Sequence, residues 1–205
     1  MSKICLARKT GSEFALGKPG AWTLAEPIAF FGRPLAGYPR RAAVRCLWNE
    51  ASLYVSFEVD SCRLHAGVGE HDGEGLWLDD GIEILLDPLR QRTSQYLPDD
   101  IAYHINILNT VFDERGTERG IPDRSWTGRA EHRVRILGDT CYAIEIAIPW
   151  DELEIHPRTD ETILGVDFCV NGSHPETGEY DYFDWCGLTV FHDPSGFGDL
   201  HLVGG

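Results

Sequence analysis

The chain has 205 residues, of which 42% are hydrophobic and 25% are charged, a composition typical of one globular domain with a full-sized core. Acidic residues number 33 and basic residues 18, which gives a formal net charge of −15. A chain with this charge repels a nucleic-acid backbone or an anionic membrane surface, so we expect neither as a partner. The first residues contain no apolar stretch of signal-peptide length, which indicates a cytoplasmic protein, or a secreted one if a leader has been removed.

Alternation of apolar and polar residues predicts β-strands along most of the chain. Two segments show it best: 53–59, in which every second residue is Leu, Val or Phe, and 142–148, which ends where Pro149 removes a backbone donor. The other predicted strands, in chain order, are 43–48, 81–87, 102–108, 132–137, 163–170, 180–185 and 199–203. Helical signals are limited to one turn at 149–153. The sequence therefore predicts an all-β sandwich that forms a single domain over residues 1–205.

Four segments spread along the chain carry recognisable motifs. They read LWNEASLYVSF at 47–57, WLDDGIEILLDP at 77–88, YAIEIAIPW at 142–150 and FGDLHL at 197–202. In this order and at this spacing they resemble the family 9 carbohydrate-binding modules, a group within the DOMON-like β-sandwiches. The resemblance implies a two-sheet antiparallel sandwich of the immunoglobulin-like or jelly-roll type, bound calcium, and a cleft in which aromatic rings hold the end of a saccharide chain.

Two tryptophans are the predicted stacking residues of this cleft. An indole ring can pack on the apolar C–H face of a sugar while neighbouring polar groups pair with the hydroxyls. Trp77 matches the first clamp position of the family, and Trp185 ends a segment in which aromatic and acidic residues are mixed. Each could instead be a large core or rim residue, as tryptophan often is.

Three polar residues are predicted to bind the sugar hydroxyls. Glu83 lies six residues after Trp77, where the family places a carboxylate that accepts hydrogen bonds. His104 and Asn106 share one face of the strand 102–108. At the position of His104 the resemblance leads us to expect a longer cationic side chain. The alternatives are an outward-facing strand carboxylate for Glu83 and a structural hydrogen-bonding role for His104.

The calcium implied by the resemblance has four candidate ligands in this sequence: Asp60, Asp79, Asp80 and Asp87. Calcium takes six to eight oxygen ligands, many of them from carboxylates. Aspartates in turns also commonly cap backbone N–H groups, which is the alternative role for all four. Haem is not expected, because DOMON-type haem domains commonly use a methionine ligand and the only methionine here is Met1.

Two functions stay open on the sequence alone. The first is a non-catalytic module that holds a mono- or oligosaccharide between Trp77 and Trp185, with calcium in a structural role. The second is a small-molecule enzyme in which Glu83, Asp184 and His104 act as acid and base in the same cleft. The sequence contains no nucleophile elbow, HExxH pair or Walker loop, which favours the binding module.

Overall fold

The structure is a computed structural model that describes residues 3–18, 20–174, 176–190 and 192–204. The described residues form twelve strands and three short 3-10 turns, with no α-helix among them. The strands are β1 (Ile4–Lys9), β2 (Ile28–Leu35), β3 (Tyr38–Trp48), β4 (Ser52–Asp60), β5 (Gly81–Asp87), β6 (Ile101–Asn106), β7 (Val111–Arg115), β8 (Glu131–Ile136), β9 (Cys141–Pro149), β10 (Ile163–Ser173), β11 (Tyr180–Asp184) and β12 (Gly198–Val203). The turns are Ala21–Leu24, Leu76–Leu78 and Pro194–Gly196. No helix within these ranges is long and apolar enough to cross a membrane.

The all-β prediction is confirmed, and each of the nine predicted strands overlaps an observed one. In β4 the alternating Leu53, Val55 and Phe57 are completely buried, and in β9 Ile144 and Ile146 are buried in the same way. Strands β1, β2 and β7 were not predicted. In such strands every second side chain is buried, and a shift of one residue in the pairing would turn these side chains out of the core. The burial pattern therefore fixes the register.

The strands form one continuous hydrogen-bonded sheet, in the order β7-β6-β5-β10-β12-β1-β3-β4-β9-β8. Strand β2 pairs with β3, and β11 pairs with β10. The expectation of two separate antiparallel sheets is therefore corrected. The physical reason is β1, which hydrogen-bonds in parallel to β12 on one side and to β3 on the other and so joins the two halves into a mixed sheet.

The sheet curls so that its two halves pack face to face around one large core. Phe57 on β4 meets Phe168 on β10 with ring centroids 5.8 Å apart, and Phe30 on β2 meets Phe183 on β11 at 5.5 Å. Residues from both halves belong to the same buried cluster. This face-to-face packing of the inner sheet faces is that of a β-sandwich.

The opposite face of β5, β6 and β7 carries polar residues that are nevertheless buried. Glu83 on β5 lies directly opposite His104 on β6, and His104 lies directly opposite Phe112 on β7. Their strand neighbours Ile82, Ile84 and Ile105 point into the core. Because side chains alternate between the faces of a sheet, this register brings Glu83, His104 and Phe112 to one place outside the core.

Candidate ligand-binding site

A pocket of about 150 Å³ opens on this outer face. It is lined by Trp77, Glu83, His104, Phe112, Glu114, Arg124, Tyr180 and His192. Strands β5, β6, β7 and β11 each contribute to the lining, together with the turn Leu76–Leu78 and two loops. The pocket therefore depends on residues that are far apart in the sequence and that the sheet brings together.

The aromatic side chains of the pocket come from three different segments. Gly75 has a φ of 86° and starts the turn that carries the partly buried Trp77. The Trp77 ring stands edge-on to Phe112, with centroids 5.7 Å apart and an interplanar angle of 76°. The Arg124 guanidinium lies 5.7 Å from the Trp77 centroid and 5.5 Å from that of Phe112, within cation–π range. Tyr180, at the start of β11, also lines the pocket.

Glu83 and His104 form a buried pair at the base of the pocket. Glu83 Oε1 lies 3.0 Å from His104 Nδ1 and also accepts a hydrogen bond from the Asn171 side chain. Burial alone would raise the pKa of Glu83, but the charge and contact of His104 and the bond from Asn171 outweigh it and lower that pKa. Burial alone would lower the pKa of His104, but Glu83 and then Glu114 outweigh it and raise that pKa. The two residues therefore stabilise each other as an ion pair.

Glu114 is the second buried carboxylate of the pocket. Its Oε1 lies 2.5 Å from His192 Nε2, and its Oε2 lies 3.4 Å from Arg124 Nε. Burial would raise the pKa of Glu114, but the contact and charge of His192, with His104 and Arg124, lower it. The pocket thus holds two carboxylates within a shell of imidazole and guanidinium groups.

The pocket includes three of the five residues predicted to bind a sugar: Trp77, Glu83 and His104. Asn106 is not a lining residue. It is completely buried, donates to Val68 O at 2.7 Å and to Asp79 Oδ2 at 2.8 Å, and accepts the backbone N–H groups of Leu108 and Thr110. All the hydrogen-bonding groups of its side chain are therefore used within the protein.

Trp185 is corrected from a clamp residue to a core residue. Its side chain is 4% exposed, packs against Phe168 at 5.6 Å between ring centroids, and belongs to the main hydrophobic cluster. Its backbone N–H donates to Phe168 O, which holds it beside β10. A ring in this position cannot face Trp77 across the pocket, so the predicted clamp of two tryptophans is not present in the described structure.

Sequence reasoning missed Phe112, Glu114, Arg124, Tyr180 and His192. Phe112 and Glu114 lie on β7, whose sequence VFDER shows no clear alternation. Arg124 and His192 lie in loops, and no alternation or motif in the sequence marks them as pocket residues. Tyr180 could have been found, because it begins the aromatic and acidic segment 180–185 that drew attention to Trp185.

The four predicted calcium ligands do not come together as one site. Asp79 accepts the backbone N–H groups of residues 67 and 68, and Asp80 accepts that of residue 65 and the hydroxyl of residue 61. Asp87 accepts the N–H groups of residues 91 and 92, while Asp60 pairs with Arg41 at 2.9 Å. Asp79, Asp80 and Asp87 thus accept backbone N–H groups, which is the turn-capping role, and Asp60 forms a salt bridge.

One carboxylate cluster does include a predicted ligand. Asp87, Asp99 and Asp100 each place one oxygen within 4.8 Å of the others. Burial, with the charges of Asp87 and Asp99, raises the pKa of Asp100 to about 7, and burial also raises the pKa of Asp99. Three carboxylates that crowd in this way supply oxygen atoms of the kind that calcium prefers.

Comparison with known proteins identifies the family. Endo-1,4-beta-xylanase A of Thermotoga neapolitana is 27% identical over 164 residues, which are 79% of this chain but only 14% of the relative. A family 9 carbohydrate-binding module from Caldicellulosiruptor kristjanssonii has a similar fold in its complex with glucose (TM-score 0.79, 22% identity, 99% of this chain and 97% of that one). Its complex with cellotriose gives a TM-score of 0.77 at 23% identity, over 99% and 95% of the two chains. Residues 21–205 match the family described as "Carbohydrate family 9 binding domain-like", and the chain belongs to that family.

Proposed function

We propose that the chain is a non-catalytic module that binds a saccharide in the pocket beside Trp77. The observation that carries this proposal is Glu83 Oε2, a buried carboxylate oxygen that has no hydrogen-bond partner among the described residues. A buried polar atom without a partner costs about 1–3 kcal/mol, so such an atom calls for a ligand that supplies a donor. A sugar hydroxyl is a donor of that kind.

The pocket supplies the two kinds of contact that a sugar ring needs. Trp77 and Tyr180 offer aromatic surface for the C–H faces of the ring, and Tyr180 is held by the hydrogen bond that its hydroxyl donates to Asn171 Oδ1 at 3.3 Å. Glu83 accepts hydrogen bonds from sugar hydroxyls, and Arg124 donates to sugar oxygens. Tyr180 therefore takes the place that the sequence had assigned to Trp185.

The size of the pocket favours one sugar residue or the end of a chain. Its volume of about 150 Å³ lies below the roughly 300–1,000 Å³ of typical small-molecule pockets. Structural neighbours have been determined with glucose and with cellotriose, so glucose and its short β-linked oligomers are the first ligands to test.

The three residues predicted for the enzyme alternative do not all line the pocket. Asp184 accepts the backbone N–H groups of Gly187 and Leu188 and is not one of the described residues that line the pocket. Glu83 and His104 are paired with each other, which suits a fixed binding surface. The xylanase relative aligns over 14% of its own length, as expected if the shared segment binds substrate apart from the part that cleaves it.

We further propose that calcium binds in a structural role beside β5, at Asp87, Asp99 and Asp100. Support comes from the grouping of their oxygens within 4.8 Å and from the burial of Asp87 and Asp100. Backbone carbonyls and water would complete the six to eight oxygen ligands that calcium takes. In this arrangement calcium would stabilise the fold without touching the sugar.

Calorimetric titration with glucose and with cellotriose tests the binding proposal. We expect saturable binding that Glu83→Gln weakens at least tenfold, because the amide replaces an accepting oxygen with a donor. Asp184→Asn is the matched control: it also removes one carboxylate charge, but outside the pocket, and should bind like the unaltered protein. Unchanged affinity of Glu83→Gln, or no binding of either sugar or of any glycan in an array, would refute the proposal.

A further inference from the structure

Two imidazoles and a carboxylate converge inside the pocket. His104 on β6, Glu114 on β7 and His192 each place one ligand atom within 4.8 Å of the others. Two histidines and one glutamate form a typical protein ligand set for a catalytic-type Zn²⁺ site, in which a fourth position remains for water or another oxygen ligand. This chemistry differs from the all-oxygen environment expected for calcium.

The surroundings of His104 provide a second, independent sign of a cation site. His104 is 6% exposed, and its Nδ1 lies 3.0 Å from Glu83 Oε1, which leaves Nε2 as the nitrogen available to a ligand. Both ring nitrogens are buried without a hydrogen-bond partner among the residues that the structure describes, and only Nδ1 has the ion-pair contact with Glu83. Metal-binding histidines almost always direct their other ring nitrogen to a carboxylate or carbonyl in this way. Asn171 in turn holds Glu83 by a hydrogen bond.

The charge and spacing of the cluster suit a divalent ion. Metal binding requires both imidazoles to be neutral, and in that state Glu83 and Glu114 supply two negative charges against the one positive charge of Arg124. A divalent cation that displaces the imidazole protons therefore enters a site with an excess of negative charge. Bonds of about 2.0–2.1 Å in a tetrahedral site hold ligand atoms about 3.3 Å apart. Ligand atoms at the 4.8 Å limit therefore have to approach by about 1.5 Å, whereas His192 Nε2 and Glu114 Oε1, 2.5 Å apart, have to separate by about 0.8 Å to admit the ion.

We propose that His104, Glu114 and His192 bind a divalent transition-metal ion of the Zn²⁺ class. Glu83 acts as the outer carboxylate that orients His104. The ion takes the position between His192 Nε2 and Glu114 Oε1, which lie 2.5 Å apart, and any proton held between them is released. The inference goes beyond saccharide binding and does not depend on it, because the ion alone is the ligand.

The test is a Zn²⁺ titration of untagged protein that has first been stripped with a chelator. We expect one ion per chain by calorimetry, confirmed by elemental analysis after dialysis. His192→Asn should weaken binding at least tenfold, since even the loss of an outer-shell partner costs about 10–100-fold. Asparagine suits this position because residue 192 has a φ of 56°, a region that asparagine tolerates.

A second variant and a control keep the outcome clear. Glu114→Gln should also weaken Zn²⁺ binding by at least tenfold, whereas His71→Asn should leave it unchanged. His71 belongs to a different cluster, with Asp72 and Asp113, and so reports a competing site. Melting curves establish that each variant is folded.

Absence of Zn²⁺ binding overturns the metal proposal, and so does binding that is lost in His71→Asn but kept in His192→Asn. Glucose titrations of the same metal-free preparations separate the two proposals. Protein that binds glucose but no Zn²⁺ disproves only the metal site, and protein that binds Zn²⁺ but no saccharide disproves only the proposed function.

Discussion

Replacing Trp77 and Trp185 by alanine, one at a time, should produce opposite defects. Trp185 is 4% exposed and packs on Phe168, and a Cβ added at Gly198 would lie 2.4 Å from its ring, so its surroundings are tightly filled. Truncation there leaves a cavity that costs about 3–5 kcal/mol in the free energy of unfolding. For a chain of this size each kcal/mol shifts the melting temperature by about 2–4 °C, so we expect a decrease of roughly 6–20 °C.

Trp77 should instead control binding. It is only partly buried, and its ring meets one phenylalanine edge-on and one guanidinium, so its loss should cost about 1 kcal/mol of stability or less. As an aromatic anchor of the ligand it should contribute about 2 kcal/mol or more to binding, which corresponds to about a 30-fold weaker affinity in Trp77→Ala. Trp77→Phe, which keeps an aromatic face, should lose less.

Scanning calorimetry measures the stability of both variants, and titration with cellotriose measures the affinity of both. The reasoning fails if Trp185→Ala keeps its melting temperature and loses binding, because Trp185 would then behave as the clamp residue that the sequence suggested. It also fails if Trp77→Ala binds cellotriose normally. Affinity should be measured below the melting transition of each variant, so that unfolding does not imitate a binding defect.

Three further predictions follow from charges and from the pocket. Burial raises the pKa of Asp80, Asp100 and Asp167 to about 7, so between pH 3.8 and 7 the folded state holds more protons than the unfolded chain. The free energy of unfolding should then fall as pH rises from 5 to 8, because three buried carboxyls act in this direction while the lowered pKa of His132 opposes them. Urea unfolding at both pH values checks this, and a rise would contradict it. A calcium chelator should lower the melting temperature of the protein but not of Asp100→Asn, and superimposable curves would remove the calcium proposal. Tyr180→Ala should weaken glucose binding by about tenfold in calorimetry, whereas full affinity would exclude Tyr180 from the site.

The clearest strand predictions are those with strict alternation or a family motif, such as β4 and β9. Strand β7 was missed because its sequence, VFDER, shows no alternation of apolar and polar residues. Its side chains are buried because it pairs with β6. Strand β1 has only six residues, and it is the strand that turns two expected sheets into one. Parallel pairing between the first and last strands is a long-range contact, and no local pattern of residues encodes it.

The error at Trp185 could have been avoided by applying the same alternation to β11. Phe183 is buried against Phe30 in the core. Trp185 comes two residues later, so a period of two puts its side chain on the same face as Phe183. Tyr180 belongs to the other set and reaches the pocket. The mixture of aromatic and acidic residues drew attention to the larger ring, whereas a period of two places that ring in the core. Arg124 and His192 could not have been found in either way, because loops position them.

The chemistry of the pocket favours a ligand with several hydroxyls over an apolar molecule of the same size. With its pKa lowered, Glu83 is ionised, and its partnerless Oε2 can only accept hydrogen bonds. In the metal-free protein, His104 Nε2 accepts in the neutral imidazole and donates in the imidazolium, and a hydroxyl can pair with either form. A cyclohexane ring could stack on Trp77 as a sugar does, but it would seal both atoms from water without a partner, at a cost of about 1–3 kcal/mol for each. That cost falls on the apolar ring alone, so the proposed site should bind a polyol more tightly than an apolar ring that stacks equally well.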